Sequence, residues 1–347
     1  MAVKIHPYLE DPDAVLIYQE PVPEKPTHAD FQRIGKRILE ITELELSGEK
    51  VAIKPNVTSG EHFADPDTGI TTHPDFVGGM VEYLFQHGAK PGGIYVVEDP
   101  RDSDDFNPRH WKGTGFVEMA EATGAKLRCP ISYYCVNKTV PNPLVHPTRN
   151  VTRYAVDPNT LLINVPKMKT HNLGITTLCL KNQMGLDDVF DRHYCGQAAG
   201  ELPPDPQRED QPFDRPAAIA RHDLYQAGLG RRLADLAKVI KPGLNIVEGV
   251  IARDGTGFQR GRNFPLGMAI AGINMVAVDS ITSYIMGFDP TDLIYLKIAH
   301  GAGLGNNDPA SLHVYVVEDG QIRPCKDITR VRAAEPFHVI RGIAGEN

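Results

Sequence analysis

Lys167, Lys169, His171 and Lys181 crowd into one short stretch of this chain, 165–185, VPKMKTHNLGITTLCLKNQMG. Amines this close repel one another unless an anion compensates them, so the pattern points to a site for a small carboxylated or phosphorylated molecule. A lysine that burial or neighbouring cations keep uncharged can act as a base or as an imine-forming amine. A histidine beside it titrates near neutrality and can pass protons. The expected roles are therefore His171 and Lys181 for proton transfer or a covalent carbonyl adduct, with Lys54, Lys167 and Lys169 holding the anion. Asn56 and Asn182, each close in sequence to a lysine, would add neutral donors to the same oxyanion.

Glu248, Arg253, Asp254 and Asp279 form an acidic half with an arginine in it. Glu248 ends a buried-strand pattern, so it is expected to enter the same crevice and answer a lysine. Glu248 or Asp279 would orient the catalytic pair, and Asp279 would equally serve to cap the helix beginning beside it. The turn Arg253-Asp254-Gly255-Thr256-Gly257 could set backbone N–H groups against a phosphate. A long polar loop, 57–72, carries His62, Asp65 and Asp67 and leads into His73. With Glu98 or Asp99 at the next strand end, these could hold a divalent cation through oxygen and imidazole ligands. Without that ion Asp65 and Asp67 are turn formers and His73 opens a helix.

The elements that must position these groups follow from periodicity. Leu161–Val165, Val51–Asn56, Ile94–Glu98 and Leu244–Val250 are short apolar runs bounded by Pro, Gly or polar loops, and read as buried strands. Phe31, Ile34, Ile38 and Ile41 keep helical spacing within 30–44, and a second helix over 76–86 stops at His87-Gly88. Helix, glycine and strand in that order predict βαβ units. The expected fold is a single α/β domain over 1–347, with a mostly parallel sheet and helices on both faces. Further helices are expected over 116–123, 229–240, 275–286 and 294–300, and strands over 14–19, 266–271 and 314–318. A helix from Thr170 would align Thr170, Gly174, Thr177 and Lys181 on one face. The proline-rich stretch within 187–220 is expected to be an insertion, serving as a lid or an oligomer arm.

A formal charge of −8 argues against nucleic acid or a membrane surface as partner, so any basic site must be local. No run approaches a membrane span, and the N-terminal residues lack a signal pattern, which points to the cytoplasm. Cys129, Cys135, Cys179, Cys195 and Cys325 form no Cys-x-x-Cys, so no iron–sulfur cluster is expected. No Gly-x-Gly-x-x-Gly follows a strand, and neither a Walker lysine motif nor Gly-x-Ser-x-Gly occurs.

Five stretches, VAIKPNV (51–57), TTHPDFV (71–77), VPKMKTHNLGITTLCLKNQMG (165–185), NIVEGVIARDGTG (245–257) and GINMVAVDSITSYIMGF (272–288), together resemble the family called domain of unknown function 362. The resemblance covers most of 50–305. It implies an α/β fold and a soluble, often bacterial or archaeal, protein, but it implies no reaction. Many relatives carry a ferredoxin-like module with cysteine ligands, which this chain lacks. His171 and Lys181 also share the spacing of a histidine and lysine in the lactate racemase family, where the lysine carries a nickel-pincer nucleotide. The flanking Pro166, Lys167 and Lys169 differ, so that cofactor is not expected here. The leading expectation is an enzyme of isomerase, racemase or lyase type. A carrier or sensor of a phosphorylated metabolite or nucleotide is the alternative, and a structural or assembly protein the third.

Overall fold

The computed structural model describes residues 4–57, 66–98, 111–188, 215–258 and 260–342. In chain order the first half comprises β1 (Ala14–Gln19), α1 (His28–Thr42), β2 (Lys50–Pro55), α2 (Pro74–Gln86), β3 (Ile94–Val97), α3 (Phe116–Thr123), β4 (Lys126–Arg128), β5 (Cys135–Thr139) and β6 (Thr148–Thr152). Then come α4 (Arg153–Val156), β7 (Thr160–Val165), β8 (Lys167–His171), β9 (Ile175–Thr177), α5 (Cys179–Asn182), α6 (Arg215–Val239), β10 (Leu244–Arg253) and β11 (Asn263–Gly272). The last elements are α7 (Met275–Ile285), α8 (Ile294–Gly301), β12 (His313–Glu318) and β13 (Gln321–Pro324).

The main sheet runs β13-β12-β1-β11-β10-β7-β2-β3-β4. From β10 to β4 every neighbouring pair is parallel. β11 lies antiparallel to both β10 and β1, and β12 parallel to β1. This mostly parallel α/β sheet is the expected one. Side chains alternate across it as strand geometry requires. Ala14 and Leu16 of β1 pack into one core with Phe31, Ile34 and Phe76 of α1 and α2. Val15 and Ile17 pack into the other, with Leu229, Val278 and Leu296 of α6, α7 and α8. Both faces are thus covered, which explains the unbroken apolar runs of the central strands. On the first face α1 and α2 meet backbone to backbone: a Cβ added at Gly35 would fall on the Phe76 carbonyl, and one at Gly79 on the Gln32 carbonyl.

β7 and β8 lie end to end along β10, with Pro166 between them. β7 pairs with Leu244 and Asn245, and β8 with Glu248 and Arg253. The stretch after Pro166 departs from expectation. It forms a hairpin, β8 with β9, pairing Lys169 with Thr177 and His171 with Ile175. The helix is confined to the single turn of α5. Three β-branched residues in succession, Ile175-Thr176-Thr177, favour a pleated strand over a helix. The turn N–H groups of Leu173 and Gly174 are taken by the His171 ring, where a helix would have to leave them to capping groups.

Between 126 and 154, β4 extends the main sheet in parallel, while β5 and β6 form a separate antiparallel pair. α6 starts well before the expected 229. Most of the proline-rich stretch, 189–214, lies outside the described residues. No described helix is long and apolar enough to cross a membrane.

Candidate functional site

The hairpin changes what the Lys-x-Lys-x-His spacing means. On a strand, residues two apart share a face, so Lys167, Lys169 and His171 stand in a row along β8. Met168 and Thr170 point the other way: Met168 enters the α6–α8 core, and Thr170 Oγ1 donates to the Gly255 carbonyl at 3.0 Å. The row sits beyond the carboxyl end of β7, where ligands bind in open α/β sheets.

Lys167 and Lys54 each meet a buried carboxylate. Lys167 Nζ lies 2.5 Å from Glu248 Oε2, both side chains fully buried. Glu248 also accepts from the backbone N–H groups of His73 (3.3 Å) and Val250 (2.9 Å). Burial pushes the Lys167 amine down while Glu248 pulls it back up. Lys54 Nζ reaches Glu98 Oε2 at 2.8 Å, the Pro55 carbonyl at 2.7 Å and Asn182 Oδ1 at 3.2 Å. Lys54 pairs in register with Asn164, and Asn182 Nδ2 donates both to the Lys54 carbonyl and to Asn164 Oδ1. Asn164 in turn donates to Asn245 Oδ1, so this amide row ties β2, β7 and β10 to α5. Asn182 is thereby part of the frame beneath Lys181. Asn56 closes the β2 loop through backbone bonds with Thr72.

Lys169, His171 and Lys181 are differently placed. Lys169 Nζ donates to the Ile70 carbonyl at 2.7 Å and stands 4.6 Å from the centre of the Phe258 ring. Burial drives its amine well below the ordinary lysine range; Lys181, Lys167 and Arg253 push the same way, and Glu98 opposes them. His171 is likewise held well below its usual value, by burial first and then by Lys181, Lys169 and His222. Its Nδ1 accepts the N–H groups of Leu173 and Gly174 at 3.1 Å each, so the ring proton belongs on Nε2. Lys181 is half-buried and makes no hydrogen bond or ion pair among the described residues.

Asp279 does not cap its own helix. Asn274 does so, accepting from Val276 and Ala277. Asp279 reaches across to accept from Cys179 N (2.7 Å) and Leu180 N (3.0 Å), closing the start of the turn that carries Lys181. Burial raises its carboxyl to about 7. Arg253 lies within β10, not in the turn after it. Its Nε holds the Phe258 carbonyl at 3.0 Å, and Nη1 holds Asn263 Oδ1 at 2.8 Å and the Thr68 carbonyl at 3.3 Å. Asp254 accepts from the backbone of Arg262 (2.7 Å) and His338 (3.3 Å). These two residues therefore shape the loop that lays Phe258 against Lys169 and His171.

Of the suggested cation ligands, His62, Asp65 and Asp99 lie outside the described residues. His73 caps α2 through Nδ1, stacks on Phe31 at 3.7 Å and is held uncharged, its value driven down to about 2 by burial, Lys167 and His28. Glu98 is committed to Lys54, and no hydrogen bond or ion pair joins it to His73. His28, His73 and Asp75 do come together, with ligand atoms within 4.8 Å of one another. They meet at the N-termini of α1 and α2, whose positive ends oppose a cation.

Three participants were not evident in the sequence: Phe258, the Ile70 carbonyl and His222. His222 on α6 donates from Nε2 to the Asn172 carbonyl at 2.9 Å and accepts from Gln226 at 2.8 Å, bracing the turn that follows His171. Only the fold brings them in, across 50 to 100 residues of chain, as the Lys169–Ile70 separation of 99 shows.

Residues 51–284 match the family described as domain of unknown function (DUF362), and the chain belongs to that family. Lys54, Lys167, Lys169, His171, Lys181, Glu248 and Asp279 all fall inside the matched region. The chain is also similar to the thylakoid-associated protein sll1697 of Synechocystis sp. (strain ATCC 27184 / PCC 6803 / Kazusa), with 22% identity over 257 residues, covering 74% of this chain and 69% of that protein. No solved structure matches it.

Proposed function

We propose that this protein is an enzyme that binds a small carboxylated or phosphorylated molecule and carries out acid–base or covalent carbonyl chemistry beside the anionic group, of isomerase, racemase or lyase type. The observation that carries this reading is Lys181, half-buried and making no hydrogen bond or ion pair among the described residues, beside buried Lys169 and His171, whose values burial and Lys181 push down. A protein built only to be stable has no use for a half-buried cation facing other basic groups. A ligand anion supplies the missing charge, and an uncharged amine beside it is competent to take a proton. His171 then serves as a neutral donor, its Nε2–H directed at an oxygen on which charge develops. Lys54 and Lys167, balanced by Glu98 and Glu248, hold the surrounding backbone. A net charge of −8 suits work in the cytoplasm better than on an anionic membrane surface.

The test is calorimetric titration of wild type and Lys181→Met with phosphate and a panel of short hydroxy and oxo acids, together with proton NMR of Cα–H exchange in deuterated buffer. Wild type is expected to bind at least one class and to exchange its Cα hydrogen. Lys181→Met should bind about tenfold more weakly, roughly 1.4 kcal/mol, and lose exchange. Equal binding by the variant would remove the reading. Binding without exchange would replace the enzyme with a carrier.

A further inference from the structure

We propose that the groove between β5, the start of β7 and the end of α6 is a second binding site, which takes a small organic anion with a carboxylate or phosphate head and a short apolar body. Lys138 and Lys241 hold the head, and an aliphatic floor takes the body. This site is separate from the one described above and does not depend on that reading.

The groove encloses about 420 Å³, within the usual size of clefts that take small organic ligands. Its apolar lining comes from Ala155, Val156, Leu162 and Val239. Thr160 opens β7 and pairs with Lys50 at the start of β2, so the groove lies at the amino ends of these parallel strands. Lys167 stands beyond the opposite end, seven residues further on, which is roughly 20 Å of extended chain.

Three lysines line the groove, Lys138, Lys238 and Lys241. Lys238 has a structural task. Its Nζ donates to the Asn142 carbonyl at 2.5 Å and lies 3.2 Å from Asp235 Oδ1, in the last turn of α6, where a cation suits the helix dipole. Asp235 is itself taken up by the successive N–H groups of Leu144 (2.7 Å), Val145 (2.7 Å) and His146 (2.9 Å). It therefore answers Lys238 and the 144–146 loop, with no ion pair to the other two lysines.

Lys138 and Lys241 make no side-chain hydrogen bond or ion pair among the described residues. Lys138 is half-buried on the same face of β5 as Val136, while Asn137 and Thr139 are exposed on the other face. An ammonium thus occupies a strand position whose neighbour on that face is apolar. The carboxylate lining the groove, Asp157, accepts from the Asn159 N–H at 2.9 Å and closes the turn before β7. Setting Lys238 against Asp235 leaves two ammonium groups and one carboxylate here, a local positive excess in a chain of net charge −8. Cations over an aliphatic floor fit an anion that carries hydrocarbon, and fit neither a bare ion nor a neutral alcohol as well.

The test is calorimetric titration of the full-length protein with hexyl phosphate, hexanoate, inorganic phosphate and hexanol. Wild type and Lys181→Met are expected to bind hexyl phosphate or hexanoate alike. Inorganic phosphate should bind to the groove at least about tenfold more weakly than hexyl phosphate, and hexanol should not bind. Lys138→Met combined with Lys241→Met should melt as wild type does and lose at least about tenfold in affinity. Lys138→Arg, which keeps the charge, should retain binding. Undiminished binding by the double variant overturns the proposal, as does failure of both hexyl compounds to bind. Loss of binding in Lys181→Met but not in the double variant also overturns it, and assigns the ligand to the site beyond β7. Capture by phosphatidylglycerol vesicles without uptake of hexyl phosphate overturns it in favour of a membrane surface.

Discussion

Lys167 Nζ and Glu248 Oε2 lie 2.5 Å apart, and neither side chain reaches solvent. Their strands pair at that register, so the backbone sets the ion pair before side-chain torsions are chosen. Removing one partner leaves the other charged in a medium that cannot solvate it. We expect Glu248→Gln to destabilise the protein by about 3–5 kcal/mol, whereas Lys167→Met combined with Glu248→Gln recovers most of the loss. Urea titration of the two variants checks this. A single variant no weaker than the double would show that the pair carries no such charge.

His171 is held uncharged, by burial first and then by Lys181 and Lys169. Its folded value is depressed below the ordinary 6.5, so the unfolded chain binds a proton that the native ring refuses. Stability contributed by this ring is therefore complete above about pH 6.5 and declines as pH falls below it. Nitrogen-detected NMR should find the Nε2–H tautomer throughout pH 6–8 with no titration. A His171 resonance titrating near 6.5 would contradict the geometry.

Asp279 behaves in the opposite sense. Its carboxyl is raised from 3.8 to about 7, so between those values the native state holds a proton that the unfolded state has lost. Its contribution to stability is full below about pH 4, shrinks as pH rises toward 7 and is flat above that. Asp279→Asn removes this slope, so the variant should gain on wild type by a few kcal/mol, at about 1.4 per unit, between pH 4 and 7. Thermal melts of both proteins across that range, plotted as a difference, provide the measurement. A difference that does not vary with pH would show that Asp279 is ionised throughout.

Gly185 follows the α5 turn and lies against the Lys54–Glu98 pair. A Cβ there would overlap Glu98 Oε1 and stand 2.7 Å from Lys54 Cε. Gly185→Ala should cost about 1–3 kcal/mol by forcing that pair apart. Because the same turn carries Lys181, affinity for phosphate or pyruvate should fall with it. Chemical denaturation and calorimetry report the two effects separately, and an unperturbed, fully stable variant would mean that the turn has room to move.

Much of the fold was legible in order. The strands over 14–19, 51–56 and 94–98 and the helices over 116–123 and 275–286 lie within two residues of the observed ones, because burial on both faces of a parallel sheet leaves a strong local signature in apolar runs and glycine stops. The stretch 167–177 was less legible. The i, i+4 and i+7 spacing of Thr170, Gly174 and Thr177 suggests a helix, but the β-branched run 175–177, the His171 ring on the turn N–H groups of Leu173 and Gly174, and the strand edge of β10 decide for a hairpin.

The sequence by itself determined the chemistry available here: the amines of Lys54, Lys167, Lys169 and Lys181, the imidazole of His171, the carboxylates of Glu98, Glu248 and Asp279, and the strand ends that present them. Tertiary structure alone decided which charge answers which. Glu248 lies 81 residues from Lys167 and Glu98 lies 44 from Lys54, and pairing over such distances depends on strand order, which no local pattern encodes. With those two pairs closed, Lys181 is left facing Lys169 and His171. Among the described residues, Glu98 and Glu248 are bound to Lys54 and Lys167 and Asp279 to the backbone, so none of these three carboxylates answers Lys181.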